Sequence, residues 1–205
     1  MTPVTRNLAR EILRGIRNNK AEFTDQGIFI GGGANLMAFG HFTAQYAAPG
    51  CEFGPNTIGS NRVVKEGLIE ALNLIANHAA PVARYLAPFS GDVVVSADWK
   101  GSNFASSATE FTNYEEAARL AWTTVAATTS PLVSNTAALA TTVITLSAGG
   151  PYTIRGCALL TSSVKGGTAG RLFSAARYGD DLTGMVGGGK LGLGYGLAAA
   201  DEGDM

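Results

Sequence analysis

From Val82 to Ala198 the chain runs as short, weakly charged, β-branched segments separated by turn residues. Segments of this kind bury their faces against one another and leave few side chains for chemistry. Candidate strands fall at roughly 82–89, 92–97, 108–112, 118–126, 137–146, 152–161, 171–178 and 189–198. That regular spacing predicts a mainly β protein, a jelly-roll-like β-sandwich or a barrel, over an alternating α/β sheet. Residues 139–146 alternate poorly, as a strand covered on both faces does. Lys190 to Leu197 alternates cleanly, with glycine on one face where another backbone can approach closely. No repeat of fixed period is visible, which disfavours a solenoid or propeller.

The 205 residues suffice for one large domain, or one domain with an extended appendage. Charged residues are 15% of the chain, against about 25% in ordinary soluble domains. With 27 glycines, this composition suits a tightly turned β fold whose surface neighbours cover. The net charge of -1 excludes a broad basic field, so nucleic acid is not an expected partner. The one basic cluster is local: Arg6, Arg10, Arg14, Arg17 and Lys20. Cys51 and Cys157 lie far apart, as two packed thiols or a single disulfide. Neither a secretion signal nor an apolar run of about 18 residues is present, so a protein made and used in solution is expected.

Residues 5–23 read as an amphipathic helix. Leu8, Ile12, Leu13 and Ile16 form one stripe, with Arg6, Arg10, Arg14 and Arg17 opposite. So short a helix is marginal unless its stripe is buried, either on its own domain or on a neighbouring subunit. Residues 24–59 hold Gly31-Gly32-Gly33, Pro49-Gly50 and Gly54-Pro55, which predicts a loop or small hairpins. Its aromatics, among them Phe29, Phe39, Phe42 and Tyr46, need burial and are, with the helical stripe, the candidate interface residues. A second helix is expected over 60–78, capped by Ser60, with Val63, Val64, Gly67, Leu68, Leu72, Ile75 and Ala76 as its apolar stripe and Pro81 beyond its end. The division is thus an N-terminal helical and extended arm, 1–59, and a helix plus sandwich, 60–205.

Catalytic and binding patterns are sparse. Gly184 to Leu191 fits GxxxxGK of a phosphate loop, but Leu191 stands where Ser or Thr holds magnesium. A glycine-alternating strand, not a helix, follows it, so a glycine-rich hairpin is expected. His41 and His78 lack metal-ligand spacing, no GxSxG elbow is present, and no cofactor is expected. Glu110, Glu115 and Glu116 cluster, as carboxylates of a glycosidase must. A structural role fits better: Glu110 and Arg119 flank a turn, where a bidentate carboxylate–guanidinium pair would pin the strand crossing. Trp99, in Asp98-Trp99-Lys100-Gly101-Ser102-Asn103, is a candidate platform for a sugar or a turn-anchoring core residue.

The order of landmarks adds a resemblance. A helix precedes Arg84-Tyr85-Leu86-Ala87-Pro88-Phe89; Glu110-Phe111-Thr112-Asn113-Tyr114 and Arg119-Leu120-Ala121-Trp122 follow. Then come Ser134-Asn135-Thr136-Ala137-Ala138, Tyr152-Thr153-Ile154-Arg155-Gly156-Cys157-Ala158-Leu159 and a final Gly194-Tyr195-Gly196 strand. Over roughly residues 60–200 this resembles the small β-sandwich minor structural proteins of tailed bacteriophages, including capsid decoration (cement) proteins and head or tail fibre attachment modules. The chain departs from that pattern in Arg84, where an aromatic residue is common, and in its N-terminal extension. The resemblance implies a non-catalytic virion protein that cements the head by bridging subunits of the major capsid protein. It implies a homo-oligomer, a trimer first, without nucleic acid or membrane as partner. A tail, baseplate or fibre-anchor position, and a host-glycan or receptor module, are the alternatives.

Overall fold

The structure, a computed structural model, describes residues 21–24, 27–30, 36–135 and 142–201, with side chains over 40–135 and 142–199. Strands β1 (Ala21–Thr24) and β2 (Gly27–Ile30) form a separate antiparallel hairpin. Next come β3 (Leu36–Ala47), β4 (Thr57–Ser60), β5 (Arg62–Val63), helix α1 (Lys65–Ile75), β6 (Tyr85–Phe89) and helix α2 (Gly101–Ser107). The remaining strands are β7 (Leu120–Ala121), β8 (Leu132–Ser134), β9 (Val143–Thr145), β10 (Tyr152–Leu160), β11 (Leu172–Met185) and β12 (Lys190–Asp201). One sheet runs β5-β11-β10-β6-β7; the other runs β4-β3-β12-β8, with β9 also pairing β12. All pairings are antiparallel, and the two sheets form the expected β-sandwich.

The main core lies between the sheets. From β12, Leu191, Leu193 and Tyr195 point inward, and from β3 so do Phe42 and Ala44. They meet Leu86 of β6, Ile154, Cys157 and Leu159 of β10, and Phe173 and Tyr178 of β11. The alternation of leucine and tyrosine against glycine in β12 therefore sets which face is buried.

A second core covers the outer face of the first sheet. Ala87, Phe89, Ala158, Leu160, Leu172 and Ala175 are roofed by Val95, Trp99, Phe104 and Ala108 of the segment carrying α2. Phe89, Trp99 and Phe104 meet edge-on in all three pairs, with centroids 6.2–6.4 Å apart, a geometry worth about 0.5–1.5 kcal/mol per pair beyond area. Glu66 of α1 fastens this roof: its Oε2 accepts the amides of Gly101 and Leu172, both at 2.7 Å.

The chain changes sheets at Asn61. β4 pairs with β3, and two residues later β5 pairs with β11. Asn61 is buried at the bend, accepting from the Gly40 amide at 2.9 Å and donating to the Tyr195 hydroxyl at 2.9 Å. The Thr57 hydroxyl, at the other end of β4, donates to the Asp180 carbonyl of β11.

Several expectations are corrected. Residues 36–60 belong to the sandwich, not to an arm: β3 pairs with β12 over its whole length, from Leu36↔Asp201 to Ala47↔Lys190. The helix is capped by Val64, because Ser60 is drawn into β4. A second helix, α2, occurs where only loop and strand were expected. Residues 92–97 form no strand, the 118–126 strand shrinks to β7, and of 137–146 only β9 is a strand among described residues. Residues 5–20 of the amphipathic segment, with Leu8, Ile12, Leu13 and Ile16, lie outside the described residues.

Candidate functional site

α1 is turned inside out. Its carboxylates Glu66 and Glu70 face the protein, and Glu70 is only 1% exposed. Its outward ridge carries Ile69, Leu72 and Ile75, which are 62%, 53% and 79% exposed. Of the stripe expected from the sequence, Val64, Gly67 and Leu68 are buried, while Leu72, Ile75 and Ala76 face outward. Gly67 permits the approach, since a Cβ there would sit 2.0 Å from the Phe173 carbonyl oxygen of β11. An outward helix face that groups large aliphatic side chains is a surface on which another protein can pack.

Beside the ridge, at the mouth between the two sheets, opens a groove of about 470 Å³. Ala71, Leu74 and Ile75 form one wall, Val82, Ala83 and Arg84 the next, and Trp122, Thr124, Val133, Phe173 and Leu197 complete it. Trp122 is fixed by its indole N–H, which donates to the Tyr195 carbonyl at 3.0 Å. Tyr195 beneath it is fully buried, and burial pushes its hydroxyl up to about 12. The sole charged lining group, Arg84, lies 4.5 Å over the Phe173 ring and donates to Glu70 Oε1 at 3.3 Å. Among the described residues Glu70 Oε2 has no hydrogen-bond partner, and Arg171 Nε lies 3.9 Å from it. Electrically the groove is close to neutral, and it merges with the Ile69–Leu72–Ile75 ridge. Such a surface takes apolar side chains from an extended or helical protein segment, not a charged small molecule.

The other sequence-derived residues fall elsewhere. Glu110 and Arg119 do come together, 0–1% exposed, with Nε to Oε1 at 2.8 Å and Nη2 to Oε2 at 2.7 Å. Arg119 also donates to the Ser162 carbonyl at 2.9 Å and the Gly167 carbonyl at 3.3 Å, so it holds the 161–170 loop to the strand crossing. Glu116 receives the Thr145 amide, while Glu115 is exposed. Glu110, sealed and paired, cannot act on a substrate.

Trp99 offers no sugar platform. It is 8% exposed and its ring belongs to the second core, which corrects that candidate role. Phe42 is likewise no interface residue: it is fully buried with its ring 4.4 Å from Tyr195. Tyr46 is half-buried on the sandwich, where its hydroxyl accepts the Val186 amide at 3.1 Å. Phe29 and Phe39 lie in β2 and β3; their side chains are outside the described residues.

Gly184 to Lys190 spans the end of β11, the turn at 186–189 and the start of β12, with a strand and not a helix after it. His41 is in β3, its ring over Gly196, and His78 is exposed beyond α1. Cys51 is exposed and Cys157 buried, both as free thiols, and burial pushes the Cys157 thiol up to about 12. Among the described residues no group of three or more His, Cys, Asp or Glu could hold a metal ion, and no helix is long and apolar enough to cross a membrane. Comparison with protein-family models, curated proteins and solved structures found no match.

Proposed function

We propose that this chain is a structural component of a tailed-phage virion, a capsid decoration or cement protein that bridges neighbouring subunits through buried contact area. The observation that carries this reading is the outward apolar face of α1 with its adjoining groove. Three large aliphatic side chains more than half exposed contribute little to folding, and they stabilise a contact when another protein covers them. Covering that surface stabilises a contact by about 25 cal/mol per Å² before ordering costs. Copies repeated over a shell then add avidity without new contacts. The landmark order from Arg84 to Gly196 supports the phage assignment within that broader reading. A glycan-binding role loses its residue, since Trp99 is sealed in the second core.

The test is location and contact. Phage particles from the host that expresses this chain should carry it in many copies per head, and Ile75→Glu should abolish its retention. Absence from every particle fraction overturns the virion reading. Full retention of the Ile75→Glu protein overturns the role of α1.

A further inference from the structure

The apolar ridge of α1 and the groove beside it lie on one face of the molecule, the first convex and the second concave, with Ile75 belonging to both. We infer that a second copy of this chain covers that face: about a two-fold axis, the Ile69–Leu72–Ile75 ridge of each copy enters the groove of the other. This rests on reading the face as a protein-docking surface, and it names the partner.

Shape is the first argument. A two-fold contact uses the same patch on both subunits, so the patch must complement itself, residue i meeting j while j meets i. A ridge alone or a groove alone fails that condition, and a ridge beside a groove meets it. The groove, about 470 Å³, is of the size of clefts that enclose drug-sized ligands, and so admits the aliphatic side chains of one ridge. α1 supplies one of its walls through Ala71, Leu74 and Ile75, while Val82 and Val133 offer aliphatic contacts elsewhere in the lining.

Charge favours the same pairing, because a patch that meets itself must not repel itself. No Asp, Glu, Lys or Arg occurs from Ala71 to Ala83 or from Leu120 to Ile154, and these two stretches supply all of the lining except Arg84, Phe173 and Leu197. Arg84 donates to Glu70 and lies over the Phe173 ring, so its charge is opposed within its own copy. Two copies therefore meet with no like charges facing, whereas a strongly charged partner finds little there to pair with. A two-fold across the helix axes also sets the paired α1 helices antiparallel, the positive N-terminal end of each beside the negative C-terminal end of the other. The last turn of α1 has no basic residue of its own at that end.

Area sets the strength of the contact. Covering a large aliphatic side chain completely removes about 60–120 Å² of apolar surface from water, so the exposed parts of the three ridge residues, over both copies, come to on the order of 300–400 Å². The groove walls add to this, but a stable interface buries about 1,200–2,000 Å² in total. The dimer is therefore weak and reversible in free solution, and crowding of copies on a larger assembly strengthens it through effective concentration.

Light scattering on the full chain, in a Cys51→Ser background, tests this from about 1 μM to about 1 mM. The mass should climb from that of one chain, 21.1 kDa, toward that of two, and Ile75→Glu should hold it at one throughout. A single-chain mass at every concentration overturns the inference, since the cover is then another protein or the chain's own residues. A dimer that Ile75→Glu leaves intact, or a larger species in place of the dimer, overturns it as well. The contact itself is read by mixing singly substituted chains under mild oxidation. Leu72→Cys should join Val82→Cys at least ten-fold faster than Val94→Cys does, and equal rates overturn the inference. Val94 is 86% exposed, but it adjoins Val95, whose carbonyl accepts from Arg62 of β5, the edge strand opposite β7 in the first sheet. If the chain stays monomeric while Ile75→Glu still abolishes particle retention, the second copy is wrong and the docking surface stands. If the chain dimerises through Ile75 yet is absent from every particle, the inference stands and the virion reading falls.

Discussion

Two buried carboxylates in this protein meet arginine, and they do so to different degrees. Glu110 has both oxygens bound by Arg119, whose remaining donors reach the carbonyls of Ser162 and Gly167. Glu70 is as deeply buried, yet among the described residues it has one long hydrogen bond from Arg84, and its other oxygen has only an ion-pair contact with Arg171. The first pair sits in a region that the chain closes over by itself. The second lies behind α1, whose outer face is open. The lesson is that the sandwich is complete around the 110–119 turn and incomplete around α1, where a further protein segment has a place to add.

The comparison can be broken most severely at the finished pair. Arg119→Leu leaves the Glu110 carboxylate buried without its partner and should cost about 3–5 kcal/mol, read as a lower urea midpoint with unchanged slope. A loss below 1 kcal/mol would mean that the turn is not closed as described.

Alkaline pH probes the core that both regions share. Burial raises the thiol of Cys157 to about 12 and the hydroxyl of Tyr195 to about 12, and raises Tyr178 as well. Each group is neutral in the folded state while the unfolded chain ionises, the thiol from about pH 8.5 and the phenols from about pH 10. The unfolded state then binds fewer protons, so stability should be level below about pH 8.5 and fall as pH rises toward 12. Cys157→Ala should remove the earliest part of that fall in a series of urea midpoints.

Glu70→Gln removes a carboxylate whose pairing is partial. It should cost roughly 1–3 kcal/mol, less than Arg119→Leu in the same assay, and equal costs would erase the distinction drawn here. The smallest effect on folding is expected from Ile75→Glu. This side chain is 79% exposed, so the change should move stability by no more than about 0.5 kcal/mol, while disrupting any contact made through α1.

How far the sequence reveals these regions depends on the range of the forces involved. Glu110 and Arg119 are nine positions apart across a turn, so their pairing could be read locally. The strands β6, β10 and β12 and the sandwich class were legible from β-branched content and the alternation of Leu191, Leu193 and Tyr195. β3 was not read, because glycine and proline crowd the residues around it, although Phe42, Ala44 and Tyr46 do alternate with His41, Thr43 and Gln45. Trp99 sits among Asp98, Lys100 and Asn103, a polar setting that hides its burial against Phe89 and Phe104. For α1 the local pattern misleads. Glu66, Glu70, Asn73 and Asn77 form a polar stripe that a lone helix would turn to water. Distant groups, the amides of Gly101 and Leu172 and the guanidinium of Arg84, pull its carboxylates inward and push Ile69, Leu72 and Ile75 out.

The account stands on the outward face of α1 being covered in the working protein. Thiol labelling of Ile75→Cys, in the full chain with Cys51→Ser, measures that cover directly. Labelling at least ten-fold slower in the native protein than in urea is the predicted result. A rate equal to that of the urea-unfolded chain, at every protein concentration and in the particle alike, would contradict it.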